Sequence, residues 1–225
     1  MPSGQPPMSA LSVRGIHVDF AGKPALRGVD LDAATGAITV IAGPNGAGKS
    51  TLLEVLAGTL APSRGVVKAG ALSRAFVPQR AAVSETLPLT VRDVVTVGAW
   101  GRTSPWRRVG RDGRHAVDEA LELLDLGPLQ RSPFGALSGG QRQRALLAQG
   151  LARGADVLLL DEPTTALDSS SAARITDAVT SQARRGVVVV CVSHDPALIE
   201  LGDVVIRLDA GCVASVDGAV SPVCP

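Results

Sequence analysis

The sequence predicts an α/β protein: a mainly parallel sheet, an antiparallel strand region at the N-terminal end, and an inserted, mainly helical block. Three observations carry this. Continuous apolar runs at Asp156–Leu160, Val187–Val192 and Val204–Leu208 alternate with helical stretches, the pattern of parallel strands buried on both faces. Ala37–Ala42 (AITVIA) runs into a glycine-rich loop, then into Leu52, Leu53, Val55 and Leu56 at helical spacing, which reads strand, loop, helix. Between about 80 and 154 the β-branched runs vanish and helical spacing takes over.

Element by element, Leu11–Phe20 alternates, with Ile16, Val18 and Phe20 on one face, and reads as a strand. Leu26–Ala33 is a second strand candidate, and Ala75–Val77 a short one ending at Pro78. Val91, Val94, Val95 and the stretch Ala116–Leu126 show helical spacing, and a further helix is expected from Ser138 to Arg153. The resulting division is a flexible tail over 1–10, one domain over 11–218 (core 11–79 and 155–218, helical subdomain 80–154), and a tail over 219–225. No internal repeat is apparent.

Composition bounds the function. The chain has 225 residues, 45% of them hydrophobic and 19% charged, which excludes general disorder. Lys+Arg number 22 against 21 Asp+Glu, a net charge of +1 that argues against a dedicated nucleic-acid binder. Aromatics are 2%, too few for a row of base-stacking platforms. The apolar runs are far shorter than the roughly 18 residues that span a bilayer, and MPSGQPPMSA lacks the regions of a signal peptide. Cys191, Cys212 and Cys224 are widely spaced, with no CxxC, so neither a disulfide framework nor a zinc site is expected. Cys191, inside VVVVCVS, reads as a small core residue.

Three constellations carry chemistry. Gly43, Pro44, Asn45, Gly46, Ala47, Gly48, Lys49 and Ser50, with Thr51 behind them, match the phosphate-loop pattern G-x-x-x-x-G-K-[ST]. Its glycines let backbone N–H groups face phosphate oxygens, and the following helix adds its positive N-terminus. Lys49 would reach the β- and γ-phosphates, and Ser50 would ligate Mg²⁺. The apolar strand at 156–160 ends in Asp161 and Glu162, placing two carboxylates at the carboxyl edge of the sheet. Asp161 would support Mg²⁺, and Glu162 would orient or deprotonate the attacking water. Leu137-Ser138-Gly139-Gly140-Gln141 places a capping hydroxyl and two open backbone N–H groups at a helix start, a second anion site.

Together, and in this order, these motifs resemble the ATP-binding subunit of an ABC transporter over about Leu11 to Val216: the phosphate loop at 43–51, Gln79 in FVPQ, LSGGQ at 137–141, DVLLLDEP at 156–163, Ala166-Leu167-Asp168, and His194. The resemblance implies roles the residues alone do not assign. Gln79 would sense Mg²⁺ and the attacking water, and His194 would contact the γ-phosphate beside Glu162. Asp168 would lie at the contact between two ATPase subunits. Phe20 aligns with an adenine-stacking aromatic and is also a plausible strand-end core residue. ATP and Mg²⁺ are the implied cofactors. The implied partners are a transmembrane permease, a second ATPase subunit (two copies of this chain as the simplest case) and, indirectly, an extracytoplasmic substrate-binding protein. The implied place is the cytoplasmic face of the membrane.

The wording VPQR, LPLTVRDVV and G-x-W-x-R within Arg80–Arg114 is similar to ATPases of zinc- or manganese-type importers, with iron-siderophore or cobalamin importers as the alternative. In the family this region docks the membrane subunit, and its arginines (Arg102, Arg107, Arg108, Arg111, Arg114) would suit a surface beside anionic headgroups. A soluble ABC ATPase acting on DNA or ribosomes would need coiled-coil insertions or two cassettes, and neither is present. Departures from the family pattern are Phe20 for Tyr, Thr165 for Ser, and Gln149 for Arg. No C-terminal regulatory domain is expected.

Overall fold

A computed structural model describes residues 9–79, 88–100 and 109–218. The strands are β1 (Ser9–Phe20), β2 (Lys23–Ala34), β3 (Ile38–Ala42), β4 (Arg64–Lys68), β5 (Arg74–Val77), β6 (Val157–Asp161), β7 (Val188–Val192), β8 (Val204–Asp209) and β9 (Cys212–Gly218). The helices are α1 (Lys49–Ala57), α2 (Val91–Trp100), α3 (Arg111–Leu123), α4 (Gly139–Ala152), α5 (Ser169–Arg184) and α6 (Pro196–Glu200).

Two sheets form. One is antiparallel, in the order β2-β1-β4, and the other runs β5-β6-β7-β3-β8-β9, parallel except where β9 returns beside β8. In the larger sheet Val40 sits between Cys191 and Val205, and Leu159 opposite Val190. Both of its faces are covered, which explains why its strands are apolar without alternation. On β7, Val189 and Cys191 join the core beneath α2, α3, α4 and α5, whereas Val188, Val190 and Val192 join the core shared with α1 and the antiparallel sheet. Burial raises the Cys191 thiol far above its ordinary range, as suits an inert core residue.

Several expectations shift. β1 starts at Ser9, inside the stretch read as tail, and β2 is longer than Leu26–Ala33. The helix expected over 116–126 begins at Arg111 and ends at Leu123. Two strands had no expectation. β4 and β9 are mostly exposed and pair only along one edge each, with β1 and β8, so burial imposes no apolar signature on them. The helix α5 likewise had none, because Ile175, Ala178, Val179 and Ala183 are its few buried apolar residues. Arg80, Arg102, Arg107, Arg108, Cys224 and the segments 1–8 and 219–225 lie outside the described residues. Among the described residues no helix is long and apolar enough to cross a membrane.

Candidate functional site

The phosphate-loop pattern leaves the end of β3 and enters α1. Gly48 caps that helix in the left-handed region at φ 96°. A Cβ on it would stand 2.6 Å from the Ala25 carbonyl oxygen, and one on Gly43 would stand 2.1 Å from that of Leu208. The chain therefore passes here only without side chains. Lys49 is 7% exposed. Its ammonium donates to the carbonyls of Gly43 and Pro44, both at 2.9 Å. These dipoles carry no net charge, so a buried cation lines the loop with room in its electrostatics for an anion.

Ser50 Oγ lies 3.3 Å from Asp161 Oδ1, across from α1 to the end of β6. Asp161 is 8% exposed. Burial holds its carboxyl above the usual aspartate range; the nearby charges of Glu162 and Glu54 add to this, while the Ser50 bond and Lys49 pull back. A hydroxyl beside a carboxylate is an oxygen donor set suited to a hard cation such as Mg²⁺. Among the described residues no group of three or more His, Cys, Asp or Glu is placed to hold a metal ion.

Glu162 follows at once, with a positive φ of 48°. A non-glycine residue held this way costs about 1–3 kcal/mol and persists where its surroundings fix it. Here its N–H donates to the Val192 carbonyl at 2.9 Å. Its Oε2 accepts from Gln79 Nε2 at 3.0 Å and Thr165 Oγ1 at 2.9 Å, and lies 3.6 Å from His194 Nδ1. Strand order explains the meeting. Gln79 follows β5, Glu162 ends β6, His194 follows β7 and the phosphate loop follows β3. Parallel neighbours in the order β5-β6-β7-β3 bring all four carboxyl ends to one edge. Thr165 was not among the expected site residues. Its signal was only its spacing, three residues beyond Glu162, where one turn of chain returns its hydroxyl.

The Ser138 to Gln141 segment makes a capping box on α4: Ser138 Oγ accepts from the Gln141 N–H at 3.3 Å, and Gln141 Oε1 accepts from the Ser138 N–H at 2.9 Å. Gly139 is open, while a Cβ on Gly140 would meet Ser171 Oγ at 2.7 Å and Asp168 Oδ2 at 3.2 Å. Asp168 caps α5, accepting from the Ser171 N–H at 2.9 Å and Ser170 Oγ at 2.6 Å. These bonds hold its carboxyl well below the usual range. The Ser138–Gln141 cap and the Asp168 cap thus lie side by side at Gly140, each bonded within its own helix start. Phe20 closes β1 at the β1–β2 turn and is 49% exposed, so the structure favours a presented ring over the core reading.

The fold and the loop at its sheet edge are those of the phosphate-loop nucleotide-binding class. More narrowly, the chain belongs to the ABC transporter family, whose model matches residues 26–165. It is 40% identical over 189 residues to a zinc import ATP-binding protein of Paramagnetospirillum magneticum, covering 84% of this chain and 69% of that one. It is 39% identical to a hemin import ATP-binding protein of Streptomyces coelicolor (89% and 75% covered) and 35% identical to a manganese transport system ATP-binding protein of Listeria innocua (82% and 80%). Among solved structures it resembles a chain of an inward-facing ABC transporter described as metal-chelate type, with TM-score 0.83, 28% identity, and 94% and 84% covered. It also resembles a dimeric bacterial ABC transporter cassette, with TM-score 0.80, 26% identity, and 92% and 98% covered.

Proposed function

We propose that this chain is the ATP-binding and ATP-hydrolysing subunit of an importer of zinc or manganese ions. The observation that carries the ATPase reading is the buried Lys49 ammonium, bonded to the loop carbonyls of Gly43 and Pro44, at the edge where Glu162 collects Gln79, Thr165 and His194. Identity to zinc and manganese import proteins supports the substrate class. Hemin is the second reading, because a hemin import protein matches almost as well over more of the chain.

In this reading the residues of 43–51 hold the phosphates, with Lys49 balancing their charge. Phe20 stacks on the adenine. Ser50 and Asp161 would hold Mg²⁺, with Gln79 beside them; bound there, the ion would neutralise charge on the phosphate oxygens. Glu162 orients the attacking water and accepts its proton. Gln79 and Thr165 fix that carboxylate, and His194 faces the γ-phosphate from the neighbouring strand. Ser138, Gly139, Gly140, Gln141 and Asp168 face a second copy of the subunit and complete its nucleotide site. The chain acts as one domain over 11–218 and sits peripherally on the cytoplasmic face of the membrane, against a permease fed by an extracytoplasmic binding protein.

The test has two parts. The purified subunit, alone and with its permease, is assayed for Mg²⁺-dependent ATP hydrolysis; its absence in both would overturn the enzyme reading. Uptake of radioactive zinc, manganese and hemin is then compared in cells with and without the gene. Loss of hemin uptake alone would move the substrate to the second reading.

A further inference from the structure

We propose that the Ala210–Gly211 turn between β8 and β9 positions the phosphate loop, with Gly211 as its positioning residue. The proposal rests on the phosphate-loop reading above.

Ala210 and Gly211 both take positive φ, 44° and 82°, as the two central residues of a tight hairpin that pairs Asp209 with Cys212. The turn reaches past the sheet edge. There the Gly211 N–H donates to the carbonyl of Ala47 at 3.2 Å, and the Gly211 carbonyl accepts from the Arg27 N–H at 2.8 Å. The Cys212 thiol donates to the Arg27 carbonyl at 3.8 Å, a second tie between the same segments. Three pieces therefore meet: the middle of the phosphate loop, residues 25–27 of β2, and the turn. They meet closely. A Cβ on Gly211 would stand 2.7 Å from the Ala25 carbonyl oxygen, the same oxygen that a Cβ on Gly48 would meet at 2.6 Å.

The consequence follows from peptide geometry. The Ala47–Gly48 peptide is trans, so its carbonyl and its N–H point in opposite directions. Tying the Ala47 carbonyl to Gly211 turns the Gly48 N–H away from the turn, and Ala47 itself is buried and cannot swing freely. A loop that binds anions through N–H groups works only while its carbonyls are held aside. Gly211 holds one of them. Through Arg27 and Ala25 it also ties the loop to the hairpin that carries Phe20.

The test is binding of a non-hydrolysable ATP analogue by calorimetry to the full chain and to Gly211→Ala, whose methyl enters the Ala25 carbonyl. The expected result is a Kd raised about tenfold, the effect of weakening one hydrogen bond to a charged group, with KM raised and kcat nearly kept. Gly218→Ala is the control. It places a still closer clash at the far end of the same hairpin, 2.2 Å from the Asp203 carbonyl oxygen, away from the loop. It is expected to lower Tm without changing Kd. Equal Kd values for wild type and Gly211→Ala, or an equal Kd loss in Gly218→Ala, would overturn the proposal. If Gly211→Ala does not fold, amide exchange of the 208–212 segment in the wild type decides. Slowing on addition of the analogue is expected, and unchanged exchange overturns it. A wild type that binds no analogue refutes the phosphate-loop reading, and this proposal with it.

Discussion

Gln79 Nε2 donates to Glu162 Oε2 at 3.0 Å across two neighbouring parallel strands. The bond fixes the carboxylate that faces the phosphate-loop edge. Glu162→Gln keeps the shape and removes the proposed base, so turnover is expected to fall about 10²- to 10⁴-fold while ATP still binds. Gln79→Ala removes one of the two hydrogen bonds that hold the carboxylate and leaves that of Thr165, and a loss of roughly tenfold in kcat is expected. Steady-state hydrolysis checks both. Wild-type rates in Glu162→Gln would remove Glu162 from the chemistry.

Lys49 gives a prediction about linkage. A ligand at a hundredfold its Kd stabilises the folded chain by about 2.7 kcal/mol, which a thermal melt with and without ATP reads as a rise in Tm. Lys49→Ala removes the buried ammonium from the loop. At the same ATP concentration its melt is expected to show less than half that gain. An undiminished shift would mean that the phosphates bind elsewhere.

Asp161 predicts a pH dependence of defined sign. Its carboxyl is raised above 3.8 in the folded chain, chiefly by burial. A group raised on folding favours the folded state below its unfolded pKa and loses that contribution as pH rises through the folded value. Burial of the charged form of this carboxyl therefore works against the fold at neutral pH. Asp161→Asn is expected to melt above the wild type at pH 7, with the gap closing as pH falls towards 3.8, while hydrolysis is lost. A lower Tm for Asp161→Asn at neutral pH would contradict the burial argument.

Stability should be concentrated in the sheet rather than in surface charge. Leu159 is fully buried in β6, and Leu159→Ala is expected to cost roughly 2–5 kcal/mol. Glu119 on α3 pairs with Arg185, which caps the C-terminus of α5, both side chains about half exposed. Glu119→Ala is expected to cost no more than about 1 kcal/mol. Urea unfolding of the two variants decides, and similar midpoints would refute the ordering.

What could be read before folding was local or periodic. The phosphate loop, the box formed by Ser138 and Gln141, and the runs of β6 and β7 are written in residues next to one another or one turn apart. Backbone conformation and two-sided burial act at that range, so the residue types alone specify them. The family resemblance also pointed to Gln79 and His194. Exposed edge strands such as β4 and β9 were silent, because a half-paired, solvated strand needs no particular residue.

Tertiary structure decided the rest. Gln79, Glu162 and His194 are far apart in the chain and meet because strand order brings their carboxyl ends together. Thr165 joins them through a turn that places Glu162 at positive φ. The contact of Gly211 with Ala47 has no sequence signal at all, since a hydrogen bond between two backbones is blind to side-chain identity. The chain's own residues determined which groups are present for phosphate chemistry. Only the packing of β3, β5, β6, β7 and β8 determined which of them face one another, because that depends on distances between segments that the order of residues does not contain.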